Sequence, residues 1–257
     1  MAQNLDADLA ADRAQVLGSF AVSHETMERL DRYVALLLEW QRTTNLIAPS
    51  TVPSVWSRHV GDSLQLLELA TQARQGSAPS PAFFDNVKPT QARQPSGLKP
   101  WTWVDLGSGG GFPGMVIACA LAENEAAMAN QNLTFGMHAT VHLIESNARK
   151  AAFLRQAARE TGAPAVIHAE RIETAGPRLR PVADVITARA LAPLDQLCHL
   201  VEPIMKKGAQ ALLMKGQDLE AELTVATKYW NIDYDIVASR SSPSGRIMIV
   251  RALSPKR

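Results

Sequence analysis

A glycine-rich segment near the middle of the chain has the residue types of a ligand-binding loop. Residues 105–114 read Asp-Leu-Gly-Ser-Gly-Gly-Gly-Phe-Pro-Gly. Gly109, Gly111 and Gly114 have the G-x-G-x-x-G spacing that holds a dinucleotide pyrophosphate on backbone N–H groups between a strand and a helix. A β-rich stretch precedes the segment and an apolar helical stretch follows it. We therefore interpret it as a binding loop rather than a plain flexible turn.

The same segment also fits a second pattern, the D-x-G-x-G-x-G motif of Rossmann-like S-adenosylmethionine methyltransferases. Its four positions are Asp105, Gly107, Gly109 and Gly111. S-adenosylmethionine has no phosphate; it needs glycines that let the main chain approach the methionine moiety, and an acidic strand end suits its cationic groups. Asp105 favours this interpretation, and nicotinamide or flavin binding by an oxidoreductase is the alternative.

Both interpretations predict an acidic residue at the end of the next strand, where it binds the ribose hydroxyls. Glu145 follows the apolar pair Leu143 and Ile144 and fills that role. It lies 38 residues after Gly107, against the usual spacing of about 20. A loose stretch at residues 123–138, which we interpret as an insertion, accounts for the excess.

Strand and helix patterns alternate from residue 101 onward and position these residues. The predicted strands are 103–106, 140–144, 165–168, 183–187, 209–214, 234–237 and 246–251, and the predicted helices are 114–122, 148–160, 194–205 and 219–229. Repeated βαβ units predict an α/β fold with a Rossmann-like, mostly parallel sheet covered by helices on both faces. The last two strands predict an antiparallel hairpin at one edge.

The chain divides into three predicted parts. Residues 1–70 form an N-terminal helical cap, with helices at 23–46 and at about 55–73 and with Ser23 as an N-cap. Residues 71–100 are rich in Pro, Gln and Ser and predict a flexible insertion. Residues 101–257 form the cofactor-binding domain.

Composition excludes several classes of protein. The 257 residues are 46% hydrophobic and 20% charged, as in soluble globular domains. The longest apolar run has eight residues, whereas a membrane span needs about 20, so we expect no membrane segment and a cytoplasmic protein. Cys119 and Cys198 are far apart in apolar surroundings, which predicts inert thiols and no metal site. The net charge of +1 excludes a globally basic nucleic-acid coat but not a local basic face.

Several segments taken together resemble one known family. They are residues 58–63 (R-H-V-G-D-S), 105–114, 153–156 (F-L-R-Q), 189–194 (R-A-L-A-P-L) and 215–217 (K-G-Q). The set resembles the RsmG family, also called glucose-inhibited division protein B, over about residues 25–252. Members of that family methylate guanine N7 in the 530 loop of 16S ribosomal RNA. The resemblance therefore implies S-adenosyl-L-methionine as cofactor and 16S ribosomal RNA or the small ribosomal subunit as partner. We further expect a monomer.

The resemblance also implies roles for individual residues. Gly107 and Phe112 flank the methionine and adenosine, and Glu145 meets the ribose. Ile172 and Glu173 hold the adenine edge. The predicted cofactor-binding set is Asp105, Gly107, Gly109, Gly111, Phe112, Glu145, Ile172, Glu173 and Arg189. The predicted catalytic set is Arg189, Asp62 and Arg58.

Guanine N7 carries a free lone pair at neutral pH, so its methylation needs no general base and depends on proximity and orientation. Arg189, predicted just after the fourth strand, could clamp an RNA phosphate or hydrogen-bond guanine O6. Each catalytic candidate has a structural alternative. Arg58 and Asp62 could form an i,i+4 surface ion pair, and Arg189 could pair with Asp184 or Asp195. His59 fits a satisfied core or interface histidine better than a catalyst.

Contacts with RNA are predicted for basic and aromatic side chains, since RNA loops are recognised by shape and stacking. The basic candidates are Arg149, Lys150, Arg155, Lys206, Lys207 and Lys215, some of which could be solvated surface charges. The stacking candidates are Trp56, Phe112 and Trp230. A non-enzymatic RNA-binding module is a weaker alternative because Asp105, the glycines and Glu145 are all present.

Overall fold

A computed structural model of the chain describes residues 2–74, 101–122 and 139–257. Seven strands in these residues form one sheet in the order β3-β2-β1-β4-β5-β7-β6. They are β1 Trp101–Leu106, β2 Ala139–Ile144, β3 Ala165–His168, β4 Val185–Arg189, β5 Gln210–Lys215, β6 Trp230–Ala238 and β7 Arg246–Pro255. The first five run parallel, and β7 pairs antiparallel with both β5 and β6. The predicted α/β sheet with an antiparallel edge hairpin is confirmed.

The helices flank this sheet and also form the N-terminal region. They are α1 Ala2–Ser19, α2 His24–Gln41, α3 Asp62–Arg74, α4 Gly114–Leu121, α5 Ala148–Thr161, α6 Ile172–Leu179, α7 Leu194–Val201 and α8 Leu219–Ala226. A 3₁₀ helix, Pro49–Ser54, and a π-helical turn, Trp56–Gly61, join α2 to α3. Among the described helices, none is both long and apolar enough to cross a membrane.

Helix α2 shows why the N-terminal region packs against the sheet domain. The Ser23 hydroxyl accepts the Thr26 N–H at 3.1 Å, which confirms the predicted N-cap. Leu30, Tyr33 and Leu37 are fully buried along one stripe. The helix ends at Gln41, whereas the prediction extended it to residue 46.

The early end of α2 has a local cause. The Gln41 carboxamide oxygen accepts the N–H groups of Leu46 and Ile47, and its amide donates to the Ile47 carbonyl. These hydrogen bonds give the backbone groups of Leu46 and Ile47 partners in a turn, so the helix does not continue past Gln41. The second predicted cap helix likewise begins as the π-helical turn and becomes α-helical only at Asp62.

Two apolar cores lie on opposite faces of the sheet. One combines α2, α3, α4 and α5 with Trp103, Val141 and Leu143, so the cap residues share a core with the sheet. The other packs α6, α7 and α8 against Val104 and Leu106. The division at residue 70 stays a prediction, since most of the predicted 71–100 segment and the 123–138 insertion lie outside the described residues.

Strand β4 begins two residues later than predicted and ends at Arg189. Asp184 precedes the strand, and its carboxylate accepts the Thr102 N–H at 3.0 Å and pairs with Lys206 at 2.8 Å. Arg189 is the last residue of the strand, whereas the prediction placed it just after the strand. Helices α1 and α6 were not predicted.

Candidate active site

The glycine loop lies at the carboxyl end of β1, next to β2 and β4. Gly107, Gly109 and Gly111 have φ values of +65°, +55° and +93°, which residues with a Cβ rarely adopt. The Ser108 N–H donates to the Ile144 carbonyl at 3.1 Å, and the Gly111 N–H donates to the Ser108 carbonyl at 2.7 Å. These bonds hold the loop against the end of β2, the edge at which parallel α/β sheets bind ligands.

Two glycines of the loop also make close approaches to other elements. A Cβ at Gly107 would lie 2.6 Å from Leu191 Cδ1, and one at Gly111 would lie 2.7 Å from Tyr33 Oη. Tyr33 is fully buried and its hydroxyl donates to the Gly110 carbonyl. Helix α2 of the cap thus contacts the glycine loop through the Tyr33 side chain.

Asp105 stabilises the base of the loop. Its side chain is buried, with Oδ1 accepting the Thr187 hydroxyl at 2.8 Å and Oδ2 accepting the Gly114 N–H at 3.3 Å. Burial raises the pKa of Asp105 to about 6, against hydrogen bonds that lower it. The carboxylate joins β1, β4 and α4, and its predicted contact with a cofactor stays a prediction.

Glu145 lies beside the loop at the end of β2. Its Oε2 accepts the Gly109 N–H at 2.8 Å, and its Oε1 accepts the Asn147 N–H at 2.7 Å. The Glu145 N–H donates to the His168 carbonyl at 3.0 Å. The carboxylate therefore links the glycine loop to the N-cap residue of α5, and the backbone of Glu145 contacts the end of β3.

Arg189 lies at the same edge, against the cap. Its Nη2 contacts His59 Nδ1, and its guanidinium carbon lies 5.8 Å from the centroid of the Phe112 ring. The His59 ring stacks on Phe112 with centroids 4.8 Å apart. Burial, with the charges of Arg189 and Arg58, lowers the pKa of His59 to about 3. The structural alternative in which Arg189 pairs with Asp184 is not seen among the described residues, where Asp184 pairs with Lys206.

Arg58 and Asp62 lie near Arg189, and their charges act on its guanidinium in opposite directions. They do not form the i,i+4 ion pair between themselves. Asp62 Oδ1 accepts the hydroxyls of Ser239 and Ser241 at 2.8 and 2.6 Å. Arg58 donates to the Ser241 carbonyl at 3.5 Å. The π-helical turn and the first residue of α3 are therefore bonded to the connection between β6 and β7.

Comparison with known proteins identifies the family. A family model described as "rRNA small subunit methyltransferase G" matches residues 26–78 and 82–246, a span that includes the π-helical turn, the glycine loop and Arg189. The chain belongs to this family.

Bacterial proteins of the small subunit methyltransferase G family match nearly the whole chain. The Bradyrhizobium sp. strain BTAi1 protein is 48% identical over 242 residues, covering 94% of this chain and 91% of that one. The Nitrobacter hamburgensis protein is 48% identical over 239 residues, covering 93% of this chain and 77% of that one. Among solved structures, M. jannaschii TYW2 in complex with AdoMet is 12% identical, with a TM-score of 0.41, covering 59% of this chain and 67% of that one.

The remaining residues assigned from the family resemblance lie at the start of α6. Ile172 is partly buried and Glu173 is exposed in its first turn. The segment follows β3, which pairs with β2, the strand that Glu145 follows. It thus lies at the same edge of the sheet as the loop, and its predicted contact with an adenine ring stays a prediction.

The basic residues predicted to contact RNA differ in their environments. Arg149, Arg155 and Lys207 are exposed, and Lys150 is partly exposed. Lys206 pairs with Asp184. Lys215 differs most from its prediction as an RNA contact, because its side chain is only 7% exposed.

Lys215 instead stabilises the segment that follows β4. Its ammonium group pairs with Glu222 and donates to the Ala192 carbonyl at 3.0 Å, while Glu222 accepts the Leu194 N–H at 2.7 Å. These bonds hold the segment after β4 in place, and Leu191 of that segment packs against Gly107. Lys215 thus stabilises the glycine loop indirectly, through the buried bonds that hold this segment.

The three aromatic residues expected to stack on bases are buried, with exposed fractions of 3% for Trp56, 7% for Phe112 and 5% for Trp230. That stacking prediction is wrong, because no ring face is open to a base. Burial raises the pKa of the thiols of Cys119 and Cys198 to about 12, so neither is a nucleophile at neutral pH. Within the three described stretches, no group of three or more His, Cys, Asp or Glu residues could hold a metal ion.

Sequence reasoning missed two contributors to the site. Tyr33 has the signal of an ordinary core position in an amphipathic stripe, and Leu191 lies in a motif in which only the arginine is predicted to act. His59 is buried and both of its ring nitrogens have partners, as predicted for a satisfied core histidine. Its place beside Arg189 was signalled only by its position within the R-H-x-x-D-S motif.

Proposed function

We propose that this protein transfers a methyl group from S-adenosyl-L-methionine to N7 of a guanine in the 530 loop of 16S ribosomal RNA. Membership of the small subunit methyltransferase G family supports a methyltransferase acting on ribosomal RNA. The same membership gives no support to the alternative of a nicotinamide or flavin oxidoreductase. The substrate is the RNA itself or the small ribosomal subunit, and we expect a cytoplasmic monomer.

The described residues fit the proposed cofactor. The glycines have no side chains, so a ligand can approach the loop backbone at the carboxyl end of β1, next to Leu191. Each carboxylate oxygen of Glu145 accepts one backbone N–H and keeps a further lone pair for a ribose hydroxyl. When bound, S-adenosyl-L-methionine supplies an electrophilic methyl group on a sulfonium. The chain's task is then to bind the two reactants and orient them.

The observation that supports guanine N7 as the methyl acceptor is that the buried His59 ring is neutral. Its Nδ1 lone pair is occupied by Arg189, and burial keeps its pKa at about 3. It is therefore a poor base at neutral pH. Guanine N7 needs no base because its lone pair is already free, so its methylation depends on positioning.

Arg189 suits the task of orienting the guanine. Its Nη1 is buried and has no hydrogen-bond partner among the described residues, and an unpaired buried donor is costly. A guanine O6 or an RNA phosphate would satisfy such a group with a directed N–H bond. Exocyclic amines of adenine typically call for an Asn/Asp-Pro-Pro-aromatic segment after the fourth strand, whereas here residues 188–191 read Ala-Arg-Ala-Leu.

The proposal is tested by mapping 7-methylguanosine in 16S RNA from cells lacking this protein. We expect one modified guanine of the 530 loop to lose its methyl group and to regain it when the gene is restored. An unchanged methylation pattern would overturn the proposal. Calorimetry with S-adenosyl-L-methionine and with NAD separates the cofactors, and binding of NAD alone would overturn the methyltransferase assignment.

A further inference from the structure

A chain of hydrogen bonds leads from Arg189 into the cap. Arg189 Nη2 contacts His59 Nδ1, and His59 Nε2 lies 2.8 Å from the Thr51 hydroxyl. The Thr51 hydroxyl in turn lies 2.8 Å from the Ala48 carbonyl oxygen. The chain connects the end of β4 with the 3₁₀ helix of the cap.

The direction of these bonds follows from the chemistry of the groups. Arginine has only donors, so His59 Nδ1 must accept and the single proton of the neutral ring must be on Nε2. That N–H then donates to Thr51, whose own hydroxyl hydrogen donates to the Ala48 carbonyl. Every link has one donor and one acceptor, and together they assign the His59 tautomer.

The surroundings of His59 hold this arrangement in place. The side chain is buried, with an exposed fraction of 5%, and one ring face stacks on Phe112. The Ser63 hydroxyl, in the first turn of α3, donates at 2.6 Å to the carbonyl of His59 in the preceding π-helical turn. π-Helical turns recur at functional sites because they change the direction of side chains within a helix.

We propose that His59 is a positioning residue for methyl transfer, because its neutral ring, anchored by Thr51, fixes the guanidinium of Arg189 against the RNA base. This inference rests on the proposed function. One guanidinium nitrogen is held by the protein, and Nη1 is the buried donor that has no partner among the described residues. His59 does not touch the substrate and acts only through Arg189.

Two substitutions of similar size separate the two bonds of the ring. In His59→Asn the amide oxygen takes the place of Nδ1 and still accepts from Arg189. In His59→Gln the amide reaches the position of Nε2, so the contact with Thr51 is kept and the acceptor for Arg189 is lost. The rate of single-turnover methyl transfer to small-subunit RNA is measured for the full chain, with S-adenosyl-L-methionine binding and thermal melting beside it.

We expect His59→Gln to slow transfer by roughly 10- to 100-fold, the range for a reacting group misplaced by up to about 1 Å. His59→Asn should retain a several-fold larger rate, and Thr51→Val should also slow transfer. Affinity for S-adenosyl-L-methionine should change by less than about threefold. His24→Gln, an exposed histidine of α2, is the matched control and should transfer at the wild-type rate.

A double-mutant cycle with Arg189→Ala decides between positioning and a general structural effect. If His59 acts through Arg189, His59→Gln should cause little further loss in the Arg189→Ala protein. An equal loss in both backgrounds, or a wild-type rate in His59→Gln, would overturn the inference. Failure of the proposed function looks different, because the wild-type protein itself would then form no 7-methylguanosine in 16S RNA.

Discussion

The buried neutral state of His59 predicts a specific dependence of stability on pH. Its ordinary pKa of 6.5 falls to about 3 in the folded protein, first because of burial and then because of the charges of Arg189 and Arg58. Below pH 6.5 the unfolded chain binds a proton at this residue and the native protein does not. The contribution to stability is therefore complete above pH 6.5 and is lost as pH falls toward 3.

The size of the effect follows from the shift. At pH 5 the unfolded chain is about 1.5 pH units below its pKa, and each unit corresponds to about 1.4 kcal/mol. His59 should thus lower the free energy of unfolding by about 2 kcal/mol at pH 5 relative to pH 8. His59→Asn has no titrating ring, so the variant should lack this loss while retaining an acceptor for Arg189.

Urea denaturation of wild type and His59→Asn at pH 8 and pH 5 gives the test. The stability of wild type relative to the variant should fall by about 2 kcal/mol between the two pH values. A difference that stays constant within about 0.5 kcal/mol would refute the reasoning. Nuclear magnetic resonance offers a second check, since the His59 ring signals of the native protein should not titrate between pH 5 and 8.

Four further outcomes are expected. For Asp105→Asn the pH dependence of stability should have the opposite sign, because burial raises the pKa of Asp105 to about 6. In the same urea assay, the free energy of unfolding of wild type relative to the variant should increase by about 1 kcal/mol from pH 8 to pH 5. Gly107→Val, at φ +65° and against Leu191, should abolish binding of S-adenosyl-L-methionine by calorimetry while the fold persists; unchanged affinity would contradict this. Lys215→Met breaks a buried ion pair and should cost about 2–4 kcal/mol in denaturation with little change in RNA affinity. Arg189→Ala should slow single-turnover transfer by roughly 100-fold, and Arg189→Lys should restore only part of the rate, because an ammonium lacks the planar fork of donors.

Local patterns were sufficient to predict the sheet and the loop. The glycine spacing, the preceding apolar strand and the following apolar helix are all contained within residues 103–122. Because the predicted strands run parallel, their carboxyl ends meet at one edge of the sheet. The structure places Glu145 beside Gly109 and Arg189 beside Phe112 at this edge, and their predicted roles stay predictions.

Contacts between distant residues were not predictable in the same way. Tyr33 meets Gly110 across 77 positions and His59 meets Arg189 across 130, and no short sequence window contains both partners. Lys215 had the charge of a surface residue, and only the packing of α8 shows that Glu222 neutralises it inside the protein. The face of the sheet to which the Asp105 side chain points could not be predicted either. Strand β1 is buried on both faces near its end, so its sequence does not alternate between polar and apolar residues.

The bonds between Asp62 and the connection after β6 have a consequence for how the protein is made. Asp62 and Ser239 are 177 positions apart, so the ribosome must add that many residues after Asp62 before the bond can form. At about 5–20 residues per second this takes on the order of 10–35 s. During that interval the helices of the cap can fold, but Asp62, the residue that follows the π-helical turn, lacks the serine hydroxyls that bond to it in the native structure. Since contacts between such distant residues form late and slowly, we expect Arg58 and Asp62 to reach their final places only when the closing hairpin has been synthesised and paired with β5.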